Sequence, residues 1–447
     1  MSQTPQSAEE TRFKRRFFIR LFGVLAGGTL LDGYILGIIG PVTAVLQAEL
    51  GFTALQVGLL AAMTMIGILV GAPLGGWAAD KWGRKPIFII DISLFVLASF
   101  FQFFVGSPEA LMLVRLAMGL AIGAEYSVSW PMLSEFAPAR TRGRLMSINQ
   151  IAFYGGFMIA YALAFYLSEI GVSWHLILGS STILAVALLL GRLGLPESAR
   201  WLWSKGRKDE ARTIAYKYME GAADVADFER DSQVGRKARF MEIFAPEHIR
   251  STAFISIFWF CNVLPYFGIA TFAGAVLGEY GLADGLGGGV GLSMVAVLGV
   301  IATMSLIDKA GRRFFTVPPQ WIMLGIFLIL GFWSGAPSWL VLVLFFLFSF
   351  LNAINGVLTA VYPSEIFPTE VRGVGTGFAA AFSRLGAAIG TFMLPVGIEK
   401  IGIGPVLLCL AVVVAIGAVV SQLWAPETKG KTLTETTAGI PIVSKKH

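Results

Sequence analysis

The sequence predicts an all-α membrane protein, with twelve transmembrane helices arranged as two pseudo-symmetric six-helix bundles. Three observations support this fold class. The 447 residues are 56% hydrophobic and only 14% charged, with a mean hydropathy of +0.73, whereas soluble domains carry about 25% charged residues. Apolar stretches of about 20 residues, the length that spans a bilayer, recur along the whole chain. Several short motifs also occur twice at a nearly constant spacing.

Twelve membrane spans are predicted from apolar runs that end at glycine, proline or charged residues. Turns such as Gly51, Gly171 and Gly335–Pro337 separate neighbouring runs. The predicted spans cover residues 17–46, 54–79, 86–106, 109–134, 145–168, 173–195, 250–278, 286–307, 315–333, 338–362, 372–397 and 403–424.

Other protein classes are excluded by what the sequence lacks. The polar and basic first 16 residues contain no apolar core and cleavage site of a secretion signal. Cys261 and Cys409 lie in apolar runs and suggest no disulfide framework, and three histidines do not favour a metal cluster. A G-x-x-x-x-G-K-[ST] loop for ATP is missing. We therefore expect no cofactor and no enzymatic activity.

The basic residues predict the orientation in the membrane. With the N-terminus inside, alternate loops hold Lys81, Arg84, Lys85, Arg140, Arg142, Arg144, Lys309, Arg312 and Arg313. The opposite loops hold only Lys400. The positive-inside rule then places both termini in the cytoplasm. The net charge of +6 reflects this topology, and no soluble basic face for a nucleic-acid partner is visible.

Three motifs are repeated in the second half of the chain. The first pair is offset by 228 residues and the other two by 230. The pairs are "DKWGR" (80–84) with "DKAGR" (308–312), "SEFAPARTRG" (134–143) with "SEIFPTEVRG" (364–373), and, more loosely, "PESARWL" (196–202) with "PETKGKTL" (426–433).

We interpret the repeat as a duplication of six helices. It predicts an N-terminal bundle over residues 1–195 and a C-terminal bundle with a cytoplasmic tail over residues 250–447. Residues 196–249 form a polar cytoplasmic linker with short amphipathic helices. Parallel repeats of this kind hold a substrate site near the midplane between the halves.

These motifs resemble those of the major facilitator superfamily and, within it, the sugar-porter-like clan. The resemblance includes both D-x-x-G-R-[KR] loops, "PESARWL", "PETKGKTL" and the segment "RLAMGLAIGAEYSVSWPMLSEFAPARTRGRLMSINQ" (115–150), and it spans nearly the whole chain. It implies a secondary transporter of the bacterial or plasma membrane that works by alternating access. We expect a monomer.

Acidic and basic residues concentrate at the predicted cytoplasmic face. Opposite charges there can pair between helices and across the two halves, which would form a latch that opens and closes. The alternative is that these charges only mark topology and cap helices. The predicted gate consists of Asp80, Arg84, Glu135, Arg142, Asp308, Arg312, Glu365 and Arg372, and by resemblance Glu197 and Glu427.

Ionisable residues inside the spans are candidates for proton coupling, because a charge there costs from about 2.5 kcal/mol upward. Asp32 lies in the first span, and Arg115 and Glu125 in the fourth. Arg115 resembles the arginine that pairs with a first-helix aspartate in proton-coupled sugar porters. There the aspartate follows Gly-Tyr, whereas Asp32 precedes Gly33. The alternative is a static buried ion pair of Asp32 and Glu125 with Arg115. Asp91 is interpreted as structural.

Arg384 is the predicted substrate-binding residue. It lies among alanine and glycine in "AAAFSRLGAAIGTF" and resembles the helix-11 arginine of the organic-ion and aromatic-acid branches. A guanidinium can hold a carboxylate through two parallel hydrogen bonds. The amide-rich cage of sugar porters is missing. Aromatic and amide residues of the same cavity complete the prediction: Tyr34, Tyr126, Trp130, Asn149, Gln150, Tyr154, Trp259, Asn262, Tyr266, Asn352 and Asn355.

The sequence thus predicts a proton-coupled symporter of a small organic carboxylate, aromatic acids included, in the inner membrane. One alternative is a proton-coupled sugar or polyol symporter, which the gate motifs favour and the missing cage opposes. Another is a proton-driven exporter of organic cations, which Arg384 opposes. A third, more distant alternative is a non-transporting sensor. Such a protein would usually carry a long signalling tail, which this sequence does not show.

Overall fold

The computed structural model describes residues 8–137, 142–234, 240–282, 285–333 and 335–429, and the regular structure in these ranges is helical. The C-terminal tail from residue 430 lies outside them. The helices are α1 (Ala8–Gly37), α2 (Ile39–Leu50), α3 (Ala54–Trp82), α4 (Arg84–Phe101), α5 (Pro108–Phe136), α6 (Arg142–Glu169), α7 (Trp174–Gly179), α8 (Ser181–Arg192), α9 (Ala199–Ser204), α10 (Lys208–Tyr218), α11 (Ala222–Val234), α12 (Ile249–Thr271), α13 (Ala273–Gly278), α14 (Gly285–Ala310), α15 (Arg312–Phe332), α16 (Ser338–Ile366), α17 (Thr369–Ile401) and α18 (Ile403–Trp424), with a short 3-10 helix, η1 (Phe240–Phe244).

The twelve predicted spans are confirmed. Within the described ranges, eleven helical segments are long and apolar enough to cross a membrane, and α1 and α2 together form the first of them. The twelfth span is α4, an 18-residue helix that carries Arg84, Lys85 and Asp91. Several helices extend beyond their apolar runs; α1, for example, begins at Ala8 instead of residue 17.

The two halves repeat the same helix packing, which accounts for their pseudo-symmetry. In the first half α1 packs against α6, α3 against α5, and α4 against α8. The corresponding pairs in the second half are α12 with α17, α14 with α16, and α15 with α18. The halves meet along α3 with α17 and along α6 with α14.

Glycine allows the close packing of α1 on α6. A Cβ atom on Gly156 would lie 1.9 Å from the carbonyl oxygen of Leu30, and one on Gly33 would lie 2.0 Å from that of Phe153. Small residues let helix backbones approach in this way inside membranes, where association depends on close packing. The position of α1, which carries Asp32, therefore depends on these two glycines.

The linker contacts both halves at one end of the bundle. Tyr218 of α10 packs on Phe17 of α1 with ring centroids 4.4 Å apart. Phe244 of η1 packs on Phe378 of α17 at 5.3 Å. This end also carries the loops with the repeated charged motifs, so we name it the charged end.

The halves close on each other at the opposite end. There Gly274, at the start of α13, donates its backbone N–H to the Tyr161 hydroxyl of α6 over 2.9 Å. A Cβ atom on Gly40 of α2 would lie 2.0 Å from the carbonyl oxygen of Thr271 in α12. These contacts seal the end of the bundle opposite the charged loops.

Two adjacent glycines on α6 should respond oppositely to substitution. Gly156→Ala should lower the melting temperature of the purified protein, because the added methyl group meets the α1 backbone; overpacking costs about 1–3 kcal/mol. Gly155→Ala is the matched control, since nothing lies within 4 Å of its Cβ position. It should be neutral or stabilising, because alanine is the better helix former. Equal melting temperatures would contradict the packing described for α1.

Candidate functional site

Glu197 ties the linker to the start of α4 at the charged end. Its Oε1 accepts hydrogen bonds from the backbone N–H groups of Arg84 at 3.0 Å and Lys85 at 3.1 Å. The first N–H groups of a helix have no partner within the helix, so the carboxylate caps α4. The Arg84 side chain pairs with Glu135 of α5, and the Ser198 hydroxyl donates to Glu135 over 2.5 Å.

The second half repeats this arrangement residue for residue. Glu427 accepts from the backbone N–H groups of Arg312 at 3.0 Å and Arg313 at 3.1 Å, and so caps α15. Nη2 of Arg312 lies 2.9 Å from Oε1 of Glu365, and the Thr428 hydroxyl donates to Glu365. The motifs that the sequence repeats therefore build the same cluster twice.

The environment of Glu427 favours its charged form. Partial burial raises the pKa of this carboxyl group, but hydrogen bonds from the backbone N–H groups of Lys429, Arg312, Arg313 and Thr428 outweigh burial and lower the pKa below its usual value. Glu427 is therefore ionised at neutral pH, as a cap of α15 requires.

The other predicted gate residues have different environments. Asp80 is exposed and makes no ion pair among the described residues, whereas its counterpart Asp308 lies 3.0 Å from Arg312. Arg372 donates from Nε to the Phe367 carbonyl at 3.2 Å. Arg142 begins α6, but its side chain lies outside the described part of the chain.

The two clusters stay within their own halves. Arg84 and Glu135 both belong to the first half, and Arg312 and Glu365 to the second. The halves close at the other end, and each cluster acts as a helix cap and a local brace in this conformation.

A second group of charges is buried inside the first half, centred on Arg192 in the last turn of α8. Nη1 of Arg192 lies 2.5 Å from Oδ1 of Asp91 in α4, and Nη2 lies 2.8 Å from Oε1 of Glu125 in α5. Nη1 also donates to the Phe88 carbonyl over 2.7 Å. The side chains of Arg192, Asp91 and Glu125 are at most 1% exposed. One guanidinium thus joins three helices.

Asp32 lies beside these ion pairs without taking part in them. It is fully buried, and neither carboxylate oxygen has a hydrogen-bond partner among the described residues. Its charged neighbours are Glu125, Arg192 and Asp91 in the same half, and Arg384 of the other half. We name Asp32, Asp91, Glu125 and Arg192 the buried charge cluster.

Arg115 was predicted to pair with Asp32, and the structure places it elsewhere. It is 1% exposed, and its Nε and Nη1 lack partners within the described ranges. Ten residues of α5, about 15 Å along the axis, separate Arg115 from Glu125, so Arg115 does not join the ion pair of Glu125. The guanidinium that pairs with Glu125 is Arg192, which the sequence analysis missed.

Arg384 of α17 lies at the interface between the halves. Its guanidinium is 5.2 Å from the ring centre of Tyr126 in α5 and 6.0 Å from that of Phe267 in α12. Further rings meet across the halves: Tyr154 and Tyr266 are 5.8 Å apart with an interplanar angle of 88°. Arg384 therefore contacts aromatic rings of both halves.

Three of the other predicted substrate residues make contacts within their own half of the protein. Asn352 donates to the side chain of Asn262 over 3.0 Å, which joins α16 to α12. The Tyr34 hydroxyl lies 2.6 Å from Ser180, at the junction of α7 and α8 within the first half. This contact removes Tyr34 from the aromatic wall, because it faces its own bundle instead of the interface.

Two other amides keep unused acceptors. Oδ1 of Asn149 and of Asn355 are buried without a hydrogen-bond partner in the described structure. Gln150, Trp130 and Trp259 are half-buried.

The chain is similar in sequence to a family of known transporters. Residues 21–439 match the family described as "Sugar (and other) transporter". The inner membrane metabolite transport protein YgcS of Escherichia coli is 34% identical over 415 residues, which cover 93% of this chain and 92% of YgcS.

Solved structures of the major facilitator superfamily have the same fold. The proton:xylose symporter XylE bound to 6-bromo-6-deoxy-D-glucose superimposes with a TM-score of 0.78 at 23% identity, over 95% of this chain and 99% of that one. XylE from E. coli in a partially occluded inward-open conformation gives 0.80 at 19% identity, over 93% and 100%.

Neutralising the acid of the first charged-end cluster should destabilise the protein. Glu135→Gln weakens the pairing with Arg84 and the bond from Ser198; a hydrogen bond to a charged group is worth about 1.5–3 kcal/mol. We expect a lower melting temperature in detergent. Glu210→Gln, which breaks the exposed pair with Arg207, should leave it nearly unchanged. If both variants melt like the wild type, Glu135 is not a brace.

Proposed function

This chain belongs to the sugar (and other) transporter family of the major facilitator superfamily, and from that premise we propose that it moves a small organic carboxylate together with a proton. It is an integral membrane protein with several spans and a transporter, not an enzyme. The two halves would expose the interface around Arg384 alternately to each side of the membrane.

Arg384 is the observation that carries the proposed substrate class. Its guanidinium lies half-buried against the rings of Tyr126 and Phe267. Within the described ranges no carboxylate lies within ion-pair distance of it. A cation in an apolar environment favours an anion, and the planar guanidinium matches a carboxylate in two parallel hydrogen bonds. The surrounding rings favour an aromatic or other apolar body on that acid.

A sugar or polyol is the second candidate, and the family description supports it. XylE, which shares the fold, is named a proton:xylose symporter. Each buried sugar hydroxyl needs a polar partner, since one left unpaired costs about 1–3 kcal/mol. Asn352 donates to the Asn262 side chain instead, and the wall around Arg384 is aromatic. An exporter of organic cations is disfavoured because Arg384 would repel its substrate.

Asp32 is the proposed proton carrier, with Glu125 in the same cluster. A buried carboxyl without a hydrogen-bond partner is able to exist in a neutral, protonated form and to ionise when a cation approaches. Such a change of charge links proton binding to a conformational equilibrium. Arg115 has no part in this proposal, because it lies about 15 Å along α5 from Glu125.

The positive-inside rule supports the proposed orientation in the membrane and, with it, the proposed conformation. It places the charged end, with both termini, in the cytoplasm. The contact of Tyr161 with Gly274 then lies on the outer side. In this orientation the conformation described here is the inward-facing one. The repeated clusters would approach each other when the inner side closes, and the gate we expect from the sequence would form at that stage.

A ligand panel tests the substrate class. Thermal-shift measurements with benzoate, nicotinate, xylose and tetraethylammonium should show stabilisation by the acids alone. Arg384→Gln should then weaken acid binding by about ten-fold or more, because a charge-assisted bond is lost. Lys400→Gln, at the far end of the same helix, is the control and should bind as the wild type does. Stabilisation by xylose without the acids would overturn the proposed class.

Proton coupling is tested in proteoliposomes with the acid that binds best in the panel. Asp32→Asn should abolish accumulation driven by a pH gradient but retain counterflow exchange, because exchange needs no net proton movement. Asp209→Asn changes an exposed linker carboxylate and should accumulate normally. Accumulation by Asp32→Asn at the wild-type level would exclude Asp32 as the carrier.

A further inference from the structure

We propose that Arg192 is the shared counter-ion of the proton site, and that its pairing with Asp91 and Glu125 in this conformation leaves Asp32 as the protonated carboxyl. The inference deepens the proposed proton coupling and rests on it. It assigns a role to a residue at the end of the sixth span that neither the sequence motifs nor the family resemblance points to.

The first step is the balance of charge. The buried charge cluster contains one guanidinium and three carboxyl groups. Arg192 already directs Nη1 to Asp91 and to the Phe88 carbonyl, and Nη2 to Glu125. A buried carboxyl without a compensating partner takes up a proton instead of keeping its charge. Asp32 is the carboxyl of the cluster without such a partner in the described structure.

The second step is the position of α1. A Cβ atom on Gly28 would lie 1.8 Å from Oε1 of Glu125 and 3.1 Å from Nη2 of Arg192. The ion pair therefore lies directly against the α1 backbone. Asp32 follows Gly28 by four residues and so occupies the same face of α1, one turn further on. A displacement of the Arg192 guanidinium by one turn of α1, about 6 Å, would exchange Glu125 for Asp32.

The third step concerns the substrate side. The charged groups that act on Asp32 are Glu125 on α5, Arg192 on α8, Asp91 on α4 and Arg384 on α17. An ionised Asp32 attracts Arg384 and so competes with a substrate carboxylate for it. A protonated Asp32 does not compete. The proton on Asp32 therefore favours acid binding at Arg384, and movement of Arg192 toward Asp32 would release the proton to water.

Infrared spectroscopy of the purified protein tests the assignment without any transported compound. At neutral pH the wild type should show the C=O band of a protonated carboxylic acid, and Asp32→Asn should remove most of it. Arg192→Gln should increase the band, because Asp91 or Glu125 then takes up a proton as well. Glu125→Gln should decrease the band that depends on Asp32, because Nη2 of Arg192 becomes available to Asp32.

Arg115→Gln is the matched control, since it removes another buried arginine that lies outside the cluster. Its spectrum should equal that of the wild type. If Arg192→Gln does not fold, the comparison of Glu125→Gln with the wild type decides alone. The assignment is overturned if Asp32→Asn leaves the band unchanged, or if Arg192→Gln or, failing that, Glu125→Gln gives the wild-type spectrum. A different substrate class in the ligand panel would not alter these spectra, so the two failures are distinguishable.

Discussion

A charge buried in a membrane-spanning body must meet an opposite charge or be neutralised, because neither lipid nor packed protein solvates an isolated ion. This constraint determines how the first half is assembled. Arg192, in the last turn of α8, draws together Asp91 of α4 and Glu125 of α5. The absence of a side chain at Gly28 lets α1 approach the same ion pair. Four helices of the bundle are therefore held in register around one guanidinium.

At the charged end, both halves depend on backbone geometry: a glycine turn lets a carboxylate approach and cap the next helix. The loop before α4 turns at Gly83 and the loop before α15 at Gly311, with φ angles of 109° and 93°. A Cβ atom at either glycine would lie within 2.5 Å of the carboxylate of Glu197 or Glu427. The glycines are needed both for the turn and for the approach of the cap. In each half, the duplicated motif thus connects the segment after the sixth span to the start of the third span.

Much of the fold can be predicted from the sequence, because it depends on features that can be read from short segments. The length of the apolar runs sets the spans, and the repeated motifs set the pseudo-symmetry. The boundaries differ where a helix continues into polar residues, as α1 does between Ala8 and residue 17.

The candidate site was predictable only in part, because it depends on which face of a helix each residue occupies. Arg384 was found since it lies in the middle of an apolar run. Arg192 was missed because it lies at the end of one, where an arginine ordinarily reaches the lipid headgroups. Arg115 was assigned by resemblance, although its spacing from Glu125 already places it at another depth. Tyr34 shows that residue type alone does not reveal whether a ring faces the interface or its own bundle.

Two neighbouring residues of α5 join the buried charge cluster to the interface around Arg384. Successive side chains on a helix point about 100° apart. Glu125 accordingly faces Arg192 inside the first half, while Tyr126 faces Arg384 of the second half. Both contacts lie at the same depth, since one residue advances the helix by only about 1.5 Å. A rotation or tilt of α5 that loosens the ion pair of Glu125 must therefore also move the ring on which Arg384 rests. Loosening of the Glu125 ion pair and movement of the Tyr126 ring need no pathway between distant sites, because both residues lie in the same turn of α5.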